Sequence, residues 1–133
     1  MNKLDKESVI GISALLVHAA NIDEIYSEHE KDLIKDFIRS YLNDEDASKI
    51  LEKSEKIESN SNQLLNYTNI IKQNSMEIKK DIIEHLWKVI ISDKTVDQYE
   101  SNLMRRICGL IYFPDKECAE IKLKLINKKW LIL

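Results

Sequence analysis

Two short stretches concentrate the residue types that do chemistry. From Asp23 to Asp32 five acidic residues stand with a single lysine. Seventy residues later Asp93, Asp97 and Glu100 return at matching positions, so both stretches read D-x-x-[YV]-[SD]-x-x-E. Carboxylates grouped in this way have two physical uses. Several converging oxygens suit a hard divalent cation. The same groups also cap helices, because an acidic or hydroxyl side chain accepts the orphan backbone N–H groups of a first turn. Ser27-x-x-Glu30 has the form of a capping box, and Asp97-x-x-Glu100 follows the same logic with a carboxylate. Asp23 and Asp93 then close the turns.

Other chemistry finds little support. His18, His29 and His85 form neither H-x-x-x-H nor H-E-x-x-H. His29 lies between Glu28 and Glu30 and reads as a solvated residue at a helix start rather than a zinc ligand. His18 and His85 read as boundary or hydrogen-bonded core residues. Cys108 and Cys118 are ten apart, which is neither a C-x-x-C pair nor a zinc spacing, and they read as reduced thiols. With only Gly11 and Gly109 there is no glycine-rich phosphate loop. No nucleophile and base stand together, so an enzyme is not expected. The net charge is −3 and the basic residues are 17 Lys against 3 Arg, which argues against nucleic acid.

The elements that must position the acidic turns are helices. Two glycines and one proline in 133 residues are too few for a sandwich or barrel. Val9, Ile12, Leu16 and Ala19 fall at helical spacing, as do Ile82, Leu86, Val89 and Ile90. After each turn comes a second stripe, Leu33, Ile34, Phe37, Ile38 and Tyr41 in one case and Tyr99, Leu103, Met104, Ile107 and Ile111 in the other. Leu16 to Phe37 and Leu86 to Ile107 align without a gap. The apolar run Val9–Ala20 has the look of a signal peptide, but a cleaved leader has no reason to share its pattern with an internal segment. It is therefore read as a core helix.

Between the hairpins, Asn43-Asp44 is expected to cap a helix carrying Ala47, Ile50, Leu51 and Ser54. Residues 58–62 read as a turn, and Leu64, Leu65, Thr68, Ile71 and Lys72 as another short helix. Pro114 opens a last helix. Glu120 to Ile126 alternates like a strand, but a lone strand has no partner, so it too is read as helix. The expectation is an all-α fold of about seven helices. It forms one domain over residues 1–133, with repeat halves near 9–41 and 78–111.

The run from Leu86 through Trp87, Asp93, Asp97, Glu100, Leu103 and Arg105-Arg106 to Pro114 resembles the second signature of the TerB family. That family includes tellurite-resistance protein B and the N-terminal domain of the membrane co-chaperone DjlA. Leu16 to Phe37 resembles the first signature. The resemblance spans roughly Val9 to Ile126 and implies an all-α bundle of two helix-hairpin repeats. By motif position it also implies divalent-cation ligands at Asp23 and Glu30 in the first repeat and at Asp93, Asp97 and Glu100 in the second. Glu24 and Lys94 stand where the family usually has glycine, so the sharp turn of an EF-hand type of loop is not encoded here.

The function expected from the resemblance is a non-enzymatic cytoplasmic module for cation sensing or stress response, with no cofactor beyond a divalent cation. The alternative is a DjlA-like domain for protein interaction or self-association without an ion. A protein partner or self-association is expected. No stretch reaches the ~18 apolar residues of a membrane span. The apolar segment Trp130–Leu133 docks on the bundle or makes a peripheral contact with a partner or membrane surface.

Overall fold

The computed structural model describes residues 4–21, 26–42, 46–60, 64–91 and 98–131; at 64–66, 98–100 and 128–131 it describes the backbone alone. These residues form α1 (Lys6–Ala20), α2 (Glu28–Tyr41), α3 (Ala47–Asn60), α4 (Leu64–Lys72), α5 (Met76–Ile91), α6 (Gln98–Ile111) and α7 (Asp115–Leu131). No strand occurs among the described residues. The repeat is visible in the helix limits. α2 and α6 are each 14 residues long and lie at the spacing of seventy seen in the sequence.

α1 is the helix on which the others converge. The Asp5 carboxylate accepts the Ser8 N–H at 2.7 Å and starts it. Its interior is buried nearly all round, from Val9 through Ile12, Leu15, Leu16 and Val17 to Ala20. A helix apolar on every side needs neighbours on every side, and α2, α3, α4 and α5 all pack on it. Gly11 admits α4 closely, since a Cβ there would meet Ile70 Cδ1 at 2.5 Å. Ser54 on α3 shares its hydroxyl proton between the carbonyls of Ile10 and Ile50, each at 3.0 Å, and so ties α3 to α1.

Most of the apolar stripe residues lie in the core; Leu33 and Tyr41 are half-buried against it, and the side chain of Tyr99 lies outside the described residues. Ile34, Phe37 and Ile38 of α2 and Ile82, Leu86 and Ile90 of α5 are fully buried. Leu103, Met104, Ile107 and Ile111 of α6 join the same core cluster, as do Ala47, Ile50 and Leu51 of α3. α6 packs on α4 and α7, and α7 packs back on α5. Residues 120–126 are helical within α7, as read. Their alternation does not make a strand because every second residue finds no neighbouring chain to pair with.

Two boundaries differ from expectation. The first turn of α3 is held by Asp46, whose carboxylate accepts the Ser48 N–H at 3.0 Å and whose carbonyl accepts the Ile50 N–H. Asn43 and Asp44, expected to cap it, lie outside the described residues. α3 also runs on to Asn60, so Glu58, Ser59 and Asn60 are helical where a turn was expected. Polar residues there face outward without breaking the backbone ladder, and Glu58 gains partners on α1.

The junction of α6 and α7 has a Schellman ending. The Phe113 N–H donates to the Cys108 carbonyl at 2.9 Å and the Tyr112 N–H to that of Gly109 at 3.4 Å. The residue with a left-handed backbone is Tyr112, at φ 59°, in the place glycine commonly takes. Its side chain is 68% exposed, with the Lys72 ammonium 4.7 Å from the ring centroid. Phe113 turns inward and is buried. No helix among the described residues is long and apolar enough to cross a membrane.

Two substitutions check this packing. Gly109 sits within α6 with nothing within 4 Å of a built Cβ, so Gly109→Ala is expected to raise stability by about 0.5–1 kcal/mol in urea titration. The Ser13 hydroxyl is buried without a hydrogen-bond partner among the described residues. Ser13→Ala is accordingly expected to stabilise by about 1 kcal/mol, because it removes an unsatisfied buried group.

Candidate functional site

Of the five sequence-derived cation ligands, only Glu30 has a described side chain. Asp23, Asp93 and Asp97 lie outside the described residues, as does the side chain of Glu100 in the first turn of α6. Trp130 and the residues after it likewise carry no described side chain. Among the described residues no three His, Cys, Asp or Glu side chains lie close enough to share a metal ion.

Glu30 belongs to a complete capping box. Its Oε1 accepts the Ser27 N–H at 2.9 Å, and its own N–H donates to Ser27 Oγ at 3.1 Å. The residue is only 2% exposed, so its carboxylate lies inside the turn rather than on the surface. Beside it stands Tyr26, whose hydroxyl is shielded from solvent and makes no hydrogen bond of good geometry among the described residues. Burial pushes that hydroxyl well above its ordinary ionisation range, and the Glu55 carboxylate on α3 adds to the effect, followed by Glu30 and Glu28. Three carboxylates from two helices therefore act on one phenol at the foot of the first acidic turn. The Lys31 ammonium lies 5.1 Å from the Tyr26 ring centroid and 3.6 Å from Glu28 Oε1. His29 is exposed in the first turn of α2, as read.

The spacing of seventy carries into α6, whose helix begins at Gln98, directly after the second acidic turn. The apolar helix, acidic stretch and second helix that the sequence gives twice have their described parts packed around one core, which leads to the family comparison. The chain matches the family model described as Tellurite resistance protein TerB over residues 10–123. It belongs to the TerB family. Searches among curated proteins and among solved structures each returned no match. In this TerB chain the capping role of Ser27 and Glu30 is observed directly.

Two polar constellations were not legible in the sequence. In the first, Tyr41 at the end of α2 donates to Asp81 Oδ2 on α5 at 2.6 Å. His85, one turn further along α5, places Nδ1 2.8 Å from the Asp81 carbonyl, which can only accept, so Nδ1 carries the proton. Phe37 meets the His85 ring edge-on at 5.1 Å. The Asp81/His85 spacing of four was the available signal, but Tyr41 is forty residues away and gave none. In the second, Glu58 joins α3 to the end of α1. Its Oε2 lies 3.3 Å from His18 Nδ1, and its Oε1 accepts from Asn21 Nδ2 at 3.3 Å. His18 and His85 read as boundary or hydrogen-bonded core residues, and both are hydrogen-bonded, His18 in the last turn of α1. A shallow depression of about 350 Å3 beside α1 and α4 is lined by Ser8, Asn69, Ile70, Gln73 and Asn74, and none of these side chains titrates.

Tyr41 is held protonated by burial and by its bond to Asp81, which push its ionisation above the ordinary value near 10. Tyr26 shifts in the same direction. A raised folded-state value means a contribution that is complete below pH 10 and is lost as pH rises toward the folded value. The melting temperature of the wild type is therefore expected to fall above about pH 10, and that of Tyr26→Phe/Tyr41→Phe to fall less steeply. At neutral pH, Tyr41→Phe is expected to cost about 1 kcal/mol by chemical denaturation, the net worth of its hydrogen bond.

Proposed function

We propose that this TerB chain is a non-enzymatic module, one domain over residues 1–133, whose acidic turns take up a divalent cation in a cytoplasmic stress response of the tellurite-resistance type. The observation that carries the reading is the electrostatic setting of Tyr26, where Glu55, Glu30 and Glu28 all act on one buried hydroxyl. Glu30 is buried at the start of α2, and the negative field it shares with Glu28 and Glu55 favours a cation nearby. In the sequence, Asp23 lies three residues before Tyr26. Asp23 and Glu30 in the first repeat, with Asp93, Asp97 and Glu100 in the second, are the proposed ligands. Oxygen donors of this kind suit calcium or magnesium better than softer metals.

A second reading has its own observation. Tyr112 and Leu123 are 68% and 57% exposed, and large apolar groups at the surface suit a protein-interaction or self-association domain of the DjlA kind with no ion.

A thermal-shift titration separates the two. With calcium or magnesium at about ten times its dissociation constant, the wild type is expected to gain ~1.4 kcal/mol of stability. Asp23→Asn/Asp93→Asn is expected to lose that gain while keeping its helical circular dichroism. A wild type indifferent to millimolar calcium, magnesium and zinc would refute the cation reading. Concentration-dependent association that survives the double substitution supports the second.

A further inference from the structure

The corner between α6 and α7 holds a chemical group that neither reading uses. Cys108 lies one turn before the end of α6, and Cys118 lies in the opening turn of α7. Both thiols are free and buried. The Schellman ending that bonds the Phe113 N–H to the Cys108 carbonyl, followed by the Cys118 N–H bonded to the Pro114 carbonyl, folds the ten-residue spacing back on itself. The two thiols lie close enough for each to act on the other's ionisation. From a third helix, α5, the Trp87 Nε1–H donates to Cys118 Sγ at 3.3 Å.

We propose that Cys108 and Cys118 are a peroxide-reactive thiol pair, in which Cys118 is the sulfur attacked first and Cys108 closes a disulfide that staples α6 to α7. The asymmetry is structural. Cys118 receives the Trp87 N–H, and Cys108 does not. The Lys122 side chain follows one helical turn later and lies over the Trp87 ring, 5.3 Å from its centroid. The start of α7 also presents the positive end of its backbone dipole to Cys118. Each of these favours negative charge on Cys118. In agreement, the Cys118 thiol is held below the ordinary thiol range, first by Cys108 and with help from Trp87 and Lys122, against its burial and Asp115. Cys108 is pushed up, first by Cys118 and then by burial. Access runs the same way, since Cys118 keeps 5% of its surface and Cys108 none.

The chemistry balances with hydrogen peroxide as the oxidant. The Cys118 thiolate attacks one peroxide oxygen, the O–O bond breaks, hydroxide leaves, and Cys118 becomes a sulfenic acid. The Cys108 sulfur then attacks Cys118 Sγ. The S–S bond forms, the S–O bond breaks, and the proton from Cys108 leaves with the hydroxyl as water. The net change is two thiols and one peroxide to one disulfide and two waters. Trp87 loses its thiolate acceptor in the first step, so its fluorescence reports the reaction.

The test uses the full chain, exposed to hydrogen peroxide in the presence of free cysteine and then quenched with an alkylating reagent. The intact mass of the folded wild type is expected to fall by about two hydrogens, with no alkylation and no disulfide-linked dimer. Cys108→Ser is expected to stop at the sulfenic acid and to take up dimedone at Cys118. Cys118→Ser is expected to leave Cys108 unmodified, and Trp87→Phe to oxidise several-fold more slowly. Far-UV circular dichroism checks that each variant is folded. Two alkylatable thiols in the wild type, after the free cysteine has been consumed, would overturn the proposal without recourse to any variant. A dimedone adduct on Cys108 rather than Cys118, an intermolecular disulfide, or unchanged kinetics in Trp87→Phe would overturn it equally.

Discussion

The burial of α1 is the constraint on which the rest of the structure depends. Ten of its fifteen residues are buried. Beyond its first turn little of the helix faces water, so it depends on the sheath formed by α2, α3, α4 and α5. The small residues along it set how closely that sheath fits. Gly11 lets α4 approach, and Ala14, Ala19 and Ala20 are fully buried along the same helix. Polar contacts then fix the register. Ser54 reaches the Ile10 carbonyl, and Glu58 reaches His18 and Asn21, so α3 is pinned to α1 at two levels.

The parts of the fold written in local pattern were legible in the sequence. The stripes Ile34–Phe37–Ile38 and Leu103–Met104–Ile107–Ile111 are buried as their spacing indicated. The Ser27/Glu30 box forms because both partners lie within one turn. What was missed is long-range. Tyr41 and Asp81, or His18 and Glu58, are each forty residues apart and meet only because two apolar helices pack. The end of α3 was placed too early for the same reason. A string of polar residues looks like a turn until its tertiary partners are known. For the site itself, the sequence named five acidic residues, and the structure speaks to the environment of Glu30 alone, as a buried capping residue.

Scarce glycine takes on a specific meaning at the α6–α7 corner. A left-handed residue is needed to end α6, and the chain supplies Tyr112 there instead of glycine. A tyrosine in that conformation costs on the order of 1–2 kcal/mol. Part of that cost is offset by the Lys72 ammonium over the ring and by the burial of Phe113 next to it. The tight ending is also what carries the chain from Cys108 back to Cys118. Backbone strain, an exposed aromatic ring and a thiol pair therefore share one short segment.

The position of α1 in the chain has a consequence for synthesis. The helix leaves the ribosome before any of the four that cover it, and α5 is completed only at Ile91. Its cover is supplied in order by α2, α3 and α4, and the last face stays open until α5 is made. A hydrophobic segment kept waiting in this way is a natural client for a nascent-chain chaperone. The enclosure of α1 is therefore completed only when α5 has been synthesised.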